Sequence, residues 1–156
     1  MALTGDDSSH AVWQISAGPA SRAYAEVFLR HGVALVGPGD AGPWNPERDD
    51  DEFEGGFVRR FASEVKTGDV FLLRKGIATI AAVGLVAGDY LYANAFDDVN
   101  GWDLQHVRRV HWCRLPVEQV FGGAVFGAKP MARARGSSPS AAARALSRFT
   151  KRVTSR

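Results

Sequence analysis

Two apolar runs, Asp69 to Arg74 and Ile77 to Ala87, meet at Lys75-Gly76, and this commits the middle of the chain to a long antiparallel hairpin. An isolated hairpin is marginal in water, so further strands must pair with it. The sequence offers them as short segments bounded by turn residues. Ala11 to Ser16 reads as a strand through Val12, Trp13 and Ile15 and stops at Ala17-Gly18-Pro19. Val33 to Val36 is a buried-type strand, and Tyr90-Leu91-Tyr92 is a short edge strand. His106 to Leu115 is the last strand, ended by Pro116 because proline cannot donate to a ladder.

Helical spacing appears in three places. Ala20, Ala23, Tyr24, Val27 and Phe28 form one stripe that ends at Gly32, a residue suited to the left-handed cap. Phe57, Val58, Phe61 and Val65 form a second stripe, closed by Thr67-Gly68. Ser138 and Pro139 open a third helix, with Ala142, Leu146, Phe149 and Val153 on its apolar side. Its partner is the sheet, a second copy or another domain. The order of elements predicts an α+β domain with a mixed, curved sheet and helices at one side or end. Residues 1–10 are a disordered N-terminus, 11–128 the folded domain, and 129–156 a basic linker and C-terminal helix.

Two loops stand out between these elements. Gly37-Pro-Gly-Asp-Ala-Gly-Pro43 alternates the two residues that constrain the backbone most, so it is a shaped loop, and Trp44 stands at its end. Asn45 to Glu54 is acidic and reads as a solvated, mobile segment. Phe96-Asp-Asp-Val-Asn-Gly-Trp102 is an acidic, glycine-broken loop leading into a strand that carries His106, Arg108, Arg109, His111 and Trp112. Trp112 reads as core. Trp102 either covers a sheet edge or serves as a plate for a planar ligand. An aromatic plate beside cationic donors suits a base and its phosphates.

Charge is unevenly distributed. Residues 1–128 carry 11 Lys and Arg against 17 Asp and Glu, whereas residues 129–156 carry 8 Lys and Arg and no acid. Such an arm either neutralises nucleic-acid phosphates or packs on an acidic face. A single cysteine, Cys113, excludes a disulfide framework within the chain, and its strand setting beside His111 reads as buried and structural. No apolar run reaches membrane-spanning length, and no signal-peptide pattern appears, so a cytoplasmic protein without a membrane partner is expected.

Motifs for common chemistries are missing. There is no dinucleotide fingerprint, Walker-type loop or nucleophile elbow, and no set of histidines at zinc spacing. Glu64-Val65-Lys66 spells the Glu-x-Lys of a PD-(D/E)xK nuclease. That chemistry needs the pair on a strand beside a fixed aspartate, whereas here it falls at the end of a helix. No catalytic residue, metal or cofactor is assigned.

Set side by side, Trp13-Gln-Ile-Ser-Ala-Gly-Pro19, Gly32-Val-Ala-Leu-Val-Gly-Pro-Gly-Asp-Ala-Gly-Pro-Trp44, Thr67-Gly-Asp-Val-Phe-Leu-Leu-Arg-Lys-Gly76, Ala82-Val-Gly-Leu-Val-Ala-Gly88 and Gly101 to Trp112 carry a resemblance. Residues 11–116 resemble the EVE-like branch of the PUA superfamily, related to YTH domains. The resemblance implies a twisted, barrel-like mixed sheet flanked by helices. It also implies a reader that flips a modified base into an aromatic cage, its added methyl packing on the rings. Bacterial relatives resemble the specificity modules of modification-dependent restriction systems, joined to nuclease or NTPase effector domains.

Carried over by position, Trp44 and Trp102 line the base pocket, and Tyr90, Tyr92 or Phe96 completes it, because a YTH cage often uses two tryptophans from the last loop and this loop has one. The turn Ser16-Ala17-Gly18 offers backbone donors, and Asp103 accepts from a base amino group. Arg108 and Arg109, with Arg74 and Lys75 of the hairpin, are the phosphate contacts. The expected partner is DNA carrying methylated cytosine or adenine. An RNA-binding module of the same fold is the alternative, and a small nuclease a third reading.

Overall fold

A computed structural model describes residues 10–18, 24–48, 57–76, 79–120 and 131–133. The strands are β1 (Val12–Ser16), β2 (Val33–Val36), β3 (Val70–Lys75), β4 (Thr79–Val86), β5 (Leu91–Tyr92), β6 (His106–Val120) and β7 (Met131–Arg133). Helix α1 spans Ala25–His31, and α2 begins at Phe57–Arg59. The strands join in the order β2-β6-β4-β3-β1-β7, with β5 also on β6. Only β1 and β3 run parallel; the other pairs described are antiparallel. The result is a mixed α+β domain whose sheet curls into a half-barrel with few helices.

The hairpin is the centre of this sheet. Its Leu72, Leu73, Ile80, Ala82 and Val83 are all fully buried, which the long apolar runs require. Trp112 lies between Phe28 and Phe71, each ring 6.3 Å away and nearly parallel, and its indole N–H donates to Val33 O at 2.7 Å. Gly84 makes this possible: a Cβ there would stand 2.6 Å from the Trp112 ring. Helix α1 closes the same core with Phe28, and Gly32 ends it at φ 64°, returning its N–H to Phe28 O.

Several expectations need correction. Pro116 does not end the last strand. Between Arg114 and Gln119 the ladder to β4 advances only from Ala82 to Ile80, so residues 115–118 bulge out and Pro116 has no ladder bond to make. Residues 131–133 are a strand on β1, with Trp13 opposite Arg133, and not part of a linker. The second helix continues past Arg59 as a wide turn over Arg60–Glu64, closed by an i to i+5 bond from Val65 N to Arg60 O. Pro46–Arg48 of the acidic segment is a helical turn. Cys113 and His111 are exposed, not buried. The N-terminal residues 1–9, the third helix and the rest of the basic arm lie outside the described residues. Among the described residues no helix is long and apolar enough to cross a membrane.

Candidate functional site

At the end of the half-barrel where β2 runs out and β6 begins, the two tryptophan loops meet. The join follows from glycines at Gly37 and Gly39. A Cβ on Gly37 would lie 2.0 Å from the backbone oxygen of Asp103, and one on Gly39 would lie 2.0 Å from Gln105 Oε1. The Gly39 N–H donates to Asp103 Oδ2 at 3.2 Å, and Tyr92 Oη donates to Gly39 O at 2.6 Å. Arg48 braces the loop from its far side, with Nη2 on Ala41 O at 2.7 Å and Nη1 on Pro43 O at 3.2 Å. The second loop folds on itself through paired backbone bonds between Val99 and Trp102, with Asn100 in the left-handed region at φ 53°.

His106 ties these pieces to the sheet. It is fully buried, between the rings of Tyr90 (5.7 Å) and Tyr92 (5.6 Å). Its Nε2 lies 3.1 Å from Pro38 O, an atom that can only accept, so Nε2 carries the hydrogen. Nδ1 then accepts from Tyr90 Oη at 2.6 Å, and Tyr90 Oη accepts from Trp44 N at 3.0 Å. This chain of bonds fits a neutral imidazole. Burial lowers the His106 pKa, which the Pro38 carbonyl and the Asp103 charge oppose. Burial likewise raises the Tyr90 pKa.

A pH dependence follows. An imidazole depressed in the fold takes up its proton more readily once unfolded, where its pKa is about 6.5. Its contribution is complete above that value and is lost as pH falls toward the folded pKa. The thermal midpoint should therefore decline on acidification just below pH ~6.5, before most carboxylates titrate. His106→Gln, with no titrating ring, should lack that component. An equal decline in both proteins would show that the imidazole stays uncoupled from folding.

The tryptophans occupy different settings within this junction. Trp44 is half-buried; its indole Nε1 is shut off from solvent and has no hydrogen-bond partner. Trp102 is also half-buried and meets Tyr24 edge-on at 6.1 Å. Phe96 packs edge-on against His31 at 6.0 Å, and its carbonyl accepts from Leu104 N. Beyond Tyr90 an open groove of about 590 Å³ runs past Ser63, Lys66, Thr67, Asp89 and Arg108.

Other expected contacts are placed elsewhere. In the turn Ser16-Ala17-Gly18, two backbone donors are taken: Ala17 N donates to Arg74 O, and Gly18 N to Ser16 Oγ. Arg108, expected at a phosphate, is buried with its donors turned inward. Its Nε donates to Phe61 O, Nη1 to Gly88 O, and Nη2 to Ala62 O and Val65 O, at 2.6–3.1 Å. Desolvation lowers its pKa. Arg74 is also buried, with Nη1 on Gly76 O, and desolvation lowers its pKa too. Lys75 pairs with Glu118 at 2.6 Å on the surface. Of the four cations, Arg109 is exposed.

Two residues with clear structural roles, and one buried amide without a partner, carry no assignment from the sequence. Asp69, buried, receives Ala11 N, Trp13 Nε1 and Lys66 N and so locks β1 to the turn before β3. His106 anchors the Pro38 loop. Gln105 is buried with its Oε1 unpartnered. Among the described residues no cluster of His, Cys, Asp and Glu could hold a metal ion.

Residues 13–124 match the family described as Domain of unknown function (DUF8426). The chain belongs to this family. The match takes in β1 from Trp13 onward, β2 through β6 and both tryptophan loops, so the DUF8426 domain includes the whole junction. No curated protein matches the chain.

Proposed function

We propose that this DUF8426 domain is a non-catalytic, PUA-like (EVE/YTH-type) reader of modified bases in DNA. A flipped base enters at the junction of the two tryptophan loops, and Trp44 and Trp102 supply its aromatic walls. The observation that carries this reading is the lock between the loops. Two tryptophans, 58 positions apart, stand on segments fastened together through Gly37, Gly39 and Asp103. A preformed site loses little entropy on binding, which helps it to extract a base from its stack. Arg109 and the cationic 129–156 arm supply sequence-blind phosphate contacts. In a restriction system the reader would act beside a nuclease or NTPase effector.

The test is a panel of matched oligonucleotides, unmodified or carrying 5-methylcytosine, 5-hydroxymethylcytosine or N6-methyladenine, in DNA and in RNA. The domain should prefer one modified DNA. Trp102→Leu keeps an apolar contact for Tyr24 but removes the plate, and stacking is worth about 1–3 kcal/mol per base. Binding should therefore weaken roughly 5- to 150-fold while the fold persists. Equal binding of modified and plain DNA by the wild type would refute the reader. A preference for RNA would replace DNA as its ligand.

A further inference from the structure

Gln105 is 7% exposed, and its Oε1 is closed off from solvent without a donor. It lies under Gly39, in the space that a Cβ at that position would fill. Proteins seldom leave a buried amide unsatisfied, because desolvation without a partner is costly. Its neighbours behave differently: Asp103 holds Gly39 N and His106 holds Pro38 O. Across the same loop, the Trp44 indole N–H is a buried donor without an acceptor. The junction thus holds a buried acceptor, Gln105 Oε1, without a donor, while the bonds of Asp103 and His106 beside it are made.

We propose that Gln105 is the specificity-determining residue of the junction, its side-chain oxygen accepting a hydrogen bond from the exocyclic amino group of the bound base. This rests on the reader assignment above. Adenine and cytosine carry such a group on the edge that flipping exposes, and adjacent to it a ring nitrogen that accepts. Gln105 Oε1 complements the amino group of that edge. Gly39 shields the oxygen in the free protein. Its own ties are three hydrogen bonds, to Asp103, Tyr92 and Gly42, none of them in a strand ladder, so Gly39 can yield locally while the Gly37 contact with Asp103 keeps the loops together. One amino hydrogen survives N-methylation, so the contact serves methylated adenine as well as methylated cytosine.

A structural amide and a reading amide predict opposite effects for Gln105→Met. Removing an unsatisfied buried polar group for an apolar one of similar size leaves stability equal or higher. Removing a reading contact weakens binding, by about tenfold for a hydrogen bond of ordinary strength. The experiment measures the thermal midpoint and binding of the full chain, wild type and Gln105→Met. Probes are 5-methylcytosine DNA and the same DNA with 5-methyl-2-pyrimidinone, which lacks the 4-amino group. N6-methyladenine and 6-ethylpurine, in which CH2 replaces the amino N–H, form the matching pair. Expected are an unchanged or raised midpoint, a loss of about tenfold on the amino-bearing probe, and no further loss on the analogue. Wild-type selectivity kept by Gln105→Met, or losses that add, would overturn the Gln105 assignment and leave the reader standing. Absence of wild-type selectivity for any modified probe would overturn both.

Discussion

Arg108→Leu should destabilise the domain by about 3–5 kcal/mol, the range for removing one side of a buried charged contact. Four backbone carbonyls, of Phe61, Ala62, Val65 and Gly88, now receive its guanidinium. Three of them belong to the end of the second helix, where carbonyls have no intrahelical partners. The fourth begins the turn after β4. One side chain therefore staples helix, turn and β6, and leucine would leave four acceptors unpaired beside an apolar group. Arg108→Lys should recover little, because one ammonium cannot span the fork that four carbonyls define. Chemical denaturation reads the loss. DNA binding measured on the fraction that remains folded should keep its salt dependence. A fall of about one in the slope of log affinity against log salt would instead make Arg108 a phosphate contact.

Much of this fold was legible because each strand states its own period. The hairpin around Lys75-Gly76, the strands at Val12 and Val33, and Gly32 at the end of α1 all obey local rules that tertiary packing did not override. The failures share a cause: they depend on what lies opposite in space. Pro116 breaks a ladder only where its partner demands a bond, and the bulge at residues 115–118 removes that demand. Met131–Arg133 is too short to declare itself and becomes a strand because β1 has a free edge. Arg108 could have been found. Successive residues on a strand face opposite sides, so the adjacent Arg108 and Arg109 cannot both reach solvent from a sheet with one buried face. Reading both as surface cations ignored that alternation. The tryptophan loops were visible as composition, but nothing in the sequence says that Gly37 and Gly39 lie against Asp103 and Gln105. Gln105 itself carries no sequence signal, since a single glutamine before a strand is ordinary.

Gly37→Ala tests that loop contact most directly, and it should abolish selective base binding while the sheet survives. The new Cβ would meet Asp103 O at 2.0 Å, Leu104 Cδ2 at 3.1 Å and Asp103 C at 3.2 Å. Two of these three atoms are backbone, so no rotamer change relieves the contact and the loops must part. Overpacking of this kind costs about 1–3 kcal/mol. The domain should stay folded, because the loss falls on a loop and leaves the strand pairings untouched. Parting the loops also pulls Gly39 N from Asp103 Oδ2 and moves Trp44 relative to Trp102, and a misplacement of about 1 Å suffices to degrade a positioned site by 10²-fold. Gly39→Ala makes the informative comparison. Its Cβ meets Gln105 Oε1 at 2.0 Å and Cδ at 2.5 Å, which can swing aside, and Gln105 Cβ at 2.8 Å, which moves only with the backbone, so its effect on stability should be no larger than that of Gly37→Ala. Amide exchange should rise across residues 37–44 and 96–105 in Gly37→Ala and stay at wild-type levels in β3 and β4. Wild-type affinity for modified DNA in a folded Gly37→Ala protein would show that the junction is a structural seam, with the base bound elsewhere.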